Sequence, residues 1–218
     1  MKPTRGAAAS RSVAATLKFG IAGWSYDDWR GVVYPRSCQD TLRYCAEFVD
    51  YIEINSTFYR FPVGRRCESW ARRVEDLPTK FTAKVPQDFT HAHSRDVGAA
   101  HEVCAGFAPL SESGRLRSLL AQFSYRFERS NANLAHLVWI RDAFSPVAPI
   151  TVEVRHASWA TMDGLSELRD LGLSSENARP PPDPSPALVG GFLLRCRATR
   201  EWPVLPEADH PRDAPDHE

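Results

Sequence analysis

Between Phe19 and Leu171 short apolar runs alternate with longer amphipathic segments, strand then helix, five times over. Few architectures accept that order. The spacing predicts strands over Phe19–Trp24, Tyr51–Asn55, Phe81–Val85, Leu119–Ser124 and Ile150–Arg155. Helices are predicted over Asp40–Phe48, Gly64–Val74, Val97–Phe107, Arg126–Trp139 and Asp163–Leu171. A strand that returns through a helix lies parallel to its predecessor, so the pattern implies an α/β fold built on a parallel sheet. No internal sequence repeat accompanies it.

Side-chain parity says which face of each strand is polar. In Tyr51-Ile52-Glu53-Ile54-Asn55 the isoleucines point one way and Glu53 with Asn55 the other. Lys84 stands opposite Phe81, Ala83 and Val85. Gln122 lies between Ala121 and Phe123, and Glu153 between Val152 and Val154, with Arg155 on the glutamate's side. Each polar group sits at or near the C-terminal end of its strand. A (β/α) barrel collects such groups at its C-terminal mouth, whereas an open doubly wound sheet has no common interior for them. The expected architecture is therefore a TIM-type (β/α) barrel, with a pocket lined by Glu53, Lys84, Gln122, Glu153 and Arg155.

The barrel is expected to be incomplete, because recognisable strands run out. After Leu173 come Ser-Ser-Glu-Asn and a proline-dense stretch over Arg179–Pro186, which reads as loop. Gly191–Arg197 offers one more strand. The expected organisation is a disordered extension over 1–18, a partial barrel over 19–199 and a disordered, acidic, proline-rich tail over 200–218. An unclosed barrel exposes a sheet edge through which a second copy could pair.

Composition narrows the partners. Lys plus Arg and Asp plus Glu both total 27, so no global field favours nucleic acid or an anionic membrane. No stretch approaches the ~20 apolar residues that span a bilayer. The five cysteines have no C-x-x-C spacing and point to reduced thiols, hence to a cytoplasmic protein.

Several motifs have a familiar order. Gly23-Trp24-Ser25-Tyr26 precedes Trp29 and Tyr34-Pro35, and Glu53-Ile54-Asn55-Ser56-Thr57-Phe58-Tyr59-Arg60 follows. Then come Trp70, Phe81 through Lys84 to Pro86, Thr90-His91, Gln122, and Glu153-Val154-Arg155-His156 with Ser158-Trp159. Together, over residues 19 to 160, they resemble the YecE-like family, domain of unknown function 72. The resemblance implies a barrel related in shape to those of xylose isomerase and endonuclease IV, and it implies no particular reaction. The family's proline pair after the glutamine is replaced here by Phe123-Ser124-Tyr125-Arg126, and its later segments are not recognisable. The chain thus reads as a truncated or diverged member.

Glu53, Lys84 and Glu153 are the candidate catalytic residues. Two carboxylates sharing a cleft with Lys84 and Arg155 can differ in proton affinity and so divide acid and base roles. The competing reading is that Glu53 with Lys84, and Glu153 with Arg155, only neutralise each other inside the barrel. Lys84 suits charge balance or anion binding better than a Schiff base, and the planar fork of Arg155 suits carboxylate or phosphate. Trp24, Asn55, Tyr59, His91, Gln122, Arg155, His156 and Trp159 are the candidate substrate-binding residues. Among them Trp24, Tyr59 and Trp159, with Tyr26, either form an aromatic rim or pack under the loops; the sequence favours neither. His91, His93 and His156 lie in separate loops whose convergence cannot be read from spacing, so no metal site is assigned. The residues name no cofactor either way.

The function expected is general acid–base chemistry on a small anionic or sugar-like substrate. Two alternatives stand beside it: a degenerate fragment without activity, and a barrel that binds nucleic acid or acts on phosphodiesters.

Overall fold

In the computed structural model residues 17–176 are described. The expectations for 1–16, for the proline-dense stretch, for a strand at Gly191–Arg197 and for the tail lie outside the described residues.

Six strands form one sheet: β1 Gly20–Ala22, β2 Tyr51–Ile54, β3 Lys80–Lys84, β4 Leu116–Gln122, β5 Ile150–Glu153 and β6 Ser174–Glu176. They lie in sequential order, and every neighbouring pair is parallel. Helices α1 Thr41–Ala46, α2 Gly64–Arg73, α3 Gln87–Thr90, α4 Val97–Glu112, α5 Asn131–Phe144 and α6 Met162–Asp170 connect them. This is the α/β architecture of a TIM-type barrel that, among the described residues, does not close: β1 and β6 each have a single neighbour. Of the described helices none is long and apolar enough to cross a membrane.

Strand parity sorts the core. Ile52, Ile54, Phe81, Ala83, Val85, Leu119, Ala121, Phe123, Ile150, Val152 and Val154 are buried in one apolar cluster with the inner stripes of the helices. On α2 that stripe is Cys67, Trp70 and Ala71, continued by Val74, the spacing of one helical face. Burial pushes the Cys45 and Cys67 thiols up to about 11, so both are unreactive packing groups. Helices α1, α4, α5 and α6 start where Asp40, Asp96, Ser130 and Thr161 accept a backbone N–H of the first turn.

The elements depart from expectation in several places. The sixth strand occupies Ser174–Glu176, read above as loop. No apolar alternation announces it; Gly172, at φ +70°, ends α6, and pairing with β5 supplies the backbone partners. Helix α5 starts at Asn131 rather than Arg126, because Phe127 is drawn into the core. There it stacks on Phe123 at 3.9 Å, and its carbonyl accepts the Trp159 indole N–H at 2.8 Å. Helix α4 continues through Pro109 to Glu112. The short α3 has too few residues to show a period.

Candidate functional site at the C-terminal ends of the strands

The face of the sheet away from the helices carries Glu53, Thr82, Lys84, Leu120, Gln122 and Glu153. Register aligns them: Glu53 pairs with Thr82, Lys84 with Leu120, and Gln122 with Glu153. Leu120 is buried yet stands outside the helix-side cluster, which confirms that this is a second, separate interior.

The polar side chains join into one file. Lys84 Nζ lies 3.9 Å from a Glu53 carboxylate oxygen, an ion-pair distance too long for a hydrogen bond. The same ammonium donates to Gln122 Oε1 at 3.1 Å. Gln122 Nε2 donates to Glu153 Oε2 at 2.6 Å. The other carboxylate oxygen, Oε1, accepts from Arg155 Nε at 2.7 Å, with Nη2 at an ion-pair distance of 2.6 Å. Glu53 and Glu153 are 3% and 2% exposed, so burial makes each of these contacts matter energetically. The two carboxylates do not meet directly. They stand three strand spacings apart, roughly 14 Å along the sheet, with Lys84 and Gln122 between them.

Loops after the strands roof this file. Thr57 Oγ1 donates either to the Ile54 carbonyl or to that of Lys84, at 3.0 and 2.8 Å, tying the ends of β2 and β3 together. Phe58 then lies under the Lys84 ammonium, 5.6 Å from ring centre to nitrogen, and edge-on to His91 at 5.1 Å. Burial, then the charge of Arg155, then His93 push His91 below the ordinary histidine value. On the far side the Arg155 guanidinium sits 5.6 Å from the ring centre of Tyr125. A cavity of about 500 Å³ opens there, walled by Tyr125, Glu153, Arg155, His156, Trp159 and Leu165. Among the described residues, Asn55 Oδ1 and Thr82 Oγ1 are buried without a hydrogen-bond partner.

The candidate residues are thus distributed unevenly. Glu53, Lys84, Gln122, Glu153 and Arg155 come together, and His91 and His156 flank them. The aromatic residues do not assemble into a rim. Trp24 packs edge-on against Trp70 at 5.2 Å and Phe81 at 6.3 Å, in the helix-side layer. Trp159 is 1% exposed with its N–H already bonded, so it can offer a ligand only an apolar surface. Tyr26 donates its hydroxyl to the Ala22 carbonyl, and Tyr59 projects into solvent. Parity placed polar groups well because it acts within one strand; loop aromatics obey no such period. Phe58 and Tyr125 carry no such signal for that reason, although they stand four and three residues beyond the ends of β2 and β4. Among the described residues no three His, Cys, Asp or Glu side chains converge as metal ligands.

The family model described as "Protein of unknown function DUF72" matches residues 18–205. The chain belongs to the DUF72 family. The match runs past the motifs legible by eye, which stop near residue 160. Among solved structures, the chain resembles a DUF72 family protein of Enterococcus faecalis, at 23% identity and a TM-score of 0.63, covering 73% of this chain and 59% of that one. It also resembles a DUF72 family protein of Thermotoga maritima, at 28% identity and a TM-score of 0.61, covering 73% and 63%. The chain therefore spans about three-fifths of the length of these DUF72 structures. No curated protein matches it.

Proposed function

We propose that this protein is a barrel enzyme that performs general acid–base chemistry on a small anionic or sugar-like substrate at the C-terminal mouth of its sheet, in a reducing cytoplasm. One observation carries the reading: an unbroken file of charged and amide groups, with Glu53, Gln122 and Glu153 buried, crosses β2, β3, β4 and β5 at their C-terminal ends. Burying two carboxylates, even beside a partly buried ammonium and an exposed guanidinium, costs far more than packing apolar residues of similar volume. The placement, at the end of the strands where barrel enzymes bind ligands, supports a functional reason for that cost.

The geometry favours different tasks for the two glutamates. Glu153 accepts from Gln122 and Arg155 and so acts as the anchor of the file. Glu53 lies at ion-pair distance from the Lys84 ammonium, toward the opposite end of the file, and is the group assigned to take a proton from substrate or return one. Lys84 stabilises negative charge that develops on a substrate oxygen beside it. The orphaned Asn55 Oδ1 suits a substrate hydroxyl as donor.

The test is a turnover screen over sugars, sugar acids and phosphate esters, followed by Glu53→Gln and Glu153→Gln. Both variants are expected to lose at least 100-fold in kcat while keeping the near-UV circular dichroism of the parent. Turnover retained in both would overturn the reading.

A second reading has one observation in its favour. β1 and β6 expose unpaired edges among the described residues, which suits a partial barrel that pairs with another copy or has lost activity. Sedimentation that shows a monomer at all concentrations, together with turnover, would remove it.

A further inference from the structure

The cavity beside β5 has a donor and acceptor balance that says more about its ligand than its shape does. Its one carboxylate, Glu153, already receives Arg155 and Gln122 on both oxygens. Arg155 spends Nε and Nη2 on that carboxylate, while its Nη1 makes no hydrogen bond among the described residues. The far end of the guanidinium therefore keeps its second fork of N–H groups.

His156 adds a further donor. The backbone N–H of Ser158 donates to His156 Nδ1 at 3.2 Å, so Nδ1 must be the unprotonated nitrogen of the neutral ring. The Ser158 hydroxyl, 2.8 Å away, accepts the Arg129 backbone N–H and points its own proton at the same Nδ1. The ring proton is thereby fixed on Nε2, which has no partner among the described residues. Val154, Trp159 and Leu165 supply apolar walls, and the Tyr125 ring stacks by the guanidinium. The groups left for a ligand are donors, one of them cationic.

We infer that this cavity is an oxyanion subsite, in which the outer fork of Arg155 and the Nε2–H of His156 hold the carboxylate or phosphate of a small organic acid or ester. The inference rests on the acid–base reading above and deepens it. An oxyanion seated at β5 directs the rest of the molecule along the file toward Lys84, two strand spacings or roughly 10 Å away. A ligand of that length presents its far end to Lys84 and Glu53.

The test uses the full chain and two conservative variants. Arg155→Lys keeps a cation against Glu153 but removes the fork. His156→Asn keeps an acceptor for the Ser158 N–H but removes the ring donor. Titration calorimetry with inorganic phosphate and, separately, with acetate and benzoate is expected to show binding to the parent chain. Arg155→Lys should weaken it about tenfold or more and His156→Asn about three- to tenfold, with the near-UV circular dichroism of each variant still that of the parent in the absence of ligand. Phosphate binding without carboxylate binding identifies an ester subsite, and the reverse an acid subsite. No binding of either class to the parent, or equal affinity in parent and both variants, overturns the inference. Loss of turnover in Glu53→Gln with anion binding intact leaves both readings standing. Turnover retained in both Glu53→Gln and Glu153→Gln, with anion binding lost in Arg155→Lys, sinks the acid–base roles while the subsite stands.

Discussion

Gln122 stands between a cation and an anion, and its amide serves each with a different atom. Oε1 accepts from Lys84 and Nε2 donates to Glu153, so the orientation of the amide is set by its neighbours. Gln122→Leu removes both contacts while leaving buried polar groups in place. It is expected to cost about 1–3 kcal/mol, read as a lower urea midpoint; an unchanged midpoint would mean the file is not coupled through this residue. A second buried polar residue makes stability depend on pH. His136 on α5 is 2% exposed; its Nε2 donates to the Phe89 carbonyl at 2.7 Å and its Nδ1 accepts from Arg95 at 3.3 Å. Burial lowers its proton affinity most; the bond to Phe89 acts the other way, and His93 and Arg95 add to the lowering. Because the folded value lies below the unfolded one, the unfolded chain binds the proton first as pH falls. Stability is complete above the ordinary histidine value near 6.5 and is lost from there down to the depressed folded value. His91 shifts the same way. Urea midpoints measured from pH 8 to 5 should fall, and less steeply in His136→Gln. Parallel curves for parent and variant would count against this assignment.

At the level of elements, the contacts that set the mouth are made by helices and loops behind it. Helices α2 and α4 approach closely because Gly106 faces the Pro62 carbonyl, where a Cβ would collide with backbone. Gly106→Val is therefore expected to separate this pair and destabilise the domain by about 1–3 kcal/mol, measured by thermal or urea unfolding; a neutral result would show that the 62–64 turn yields. The loop from Pro86 to Asp96 carries His91 to the site. It is pinned by His136 at Phe89 and Arg95, and it holds His93 at φ +52° against the His136 and Phe127 rings. The two hydrogen bonds of His136 join residues 41 and 47 positions apart, so no local pattern reports them. The same holds for α5, whose start was displaced by the burial of Phe127.

For the whole molecule, the apolar layer between sheet and helices is continuous from Ile52 on β2 to Leu173 before β6. One contiguous core predicts one cooperative transition, even though the sheet edges at β1 and β6 stay open among the described residues. Phe81, at the centre of that layer and fully buried, is the place to test it. Phe81→Ala should cost about 3–5 kcal/mol and shift near- and far-UV transitions together. Separate shifts would show that the halves of the sheet unfold independently.

The amino-acid sequence determined the α/β alternation, the five expected strands and the polar face of four of them, because strand parity and helical periodicity are properties of neighbouring residues. It also placed Glu53, Lys84, Gln122, Glu153 and Arg155 at strand ends, with the ion pairs of Glu53 and Lys84 and of Glu153 and Arg155 open as one reading. Only the tertiary structure decided that these five form a single file, that the two glutamates stand apart, and that Trp24 and Trp159 belong to packing rather than a rim. It alone revealed β6, a strand of Ser-Ser-Glu that pairs by backbone hydrogen bonds and carries no apolar signature. Register, loop paths and ring packing are set by contacts between distant segments, and those come into being only when the sheet assembles.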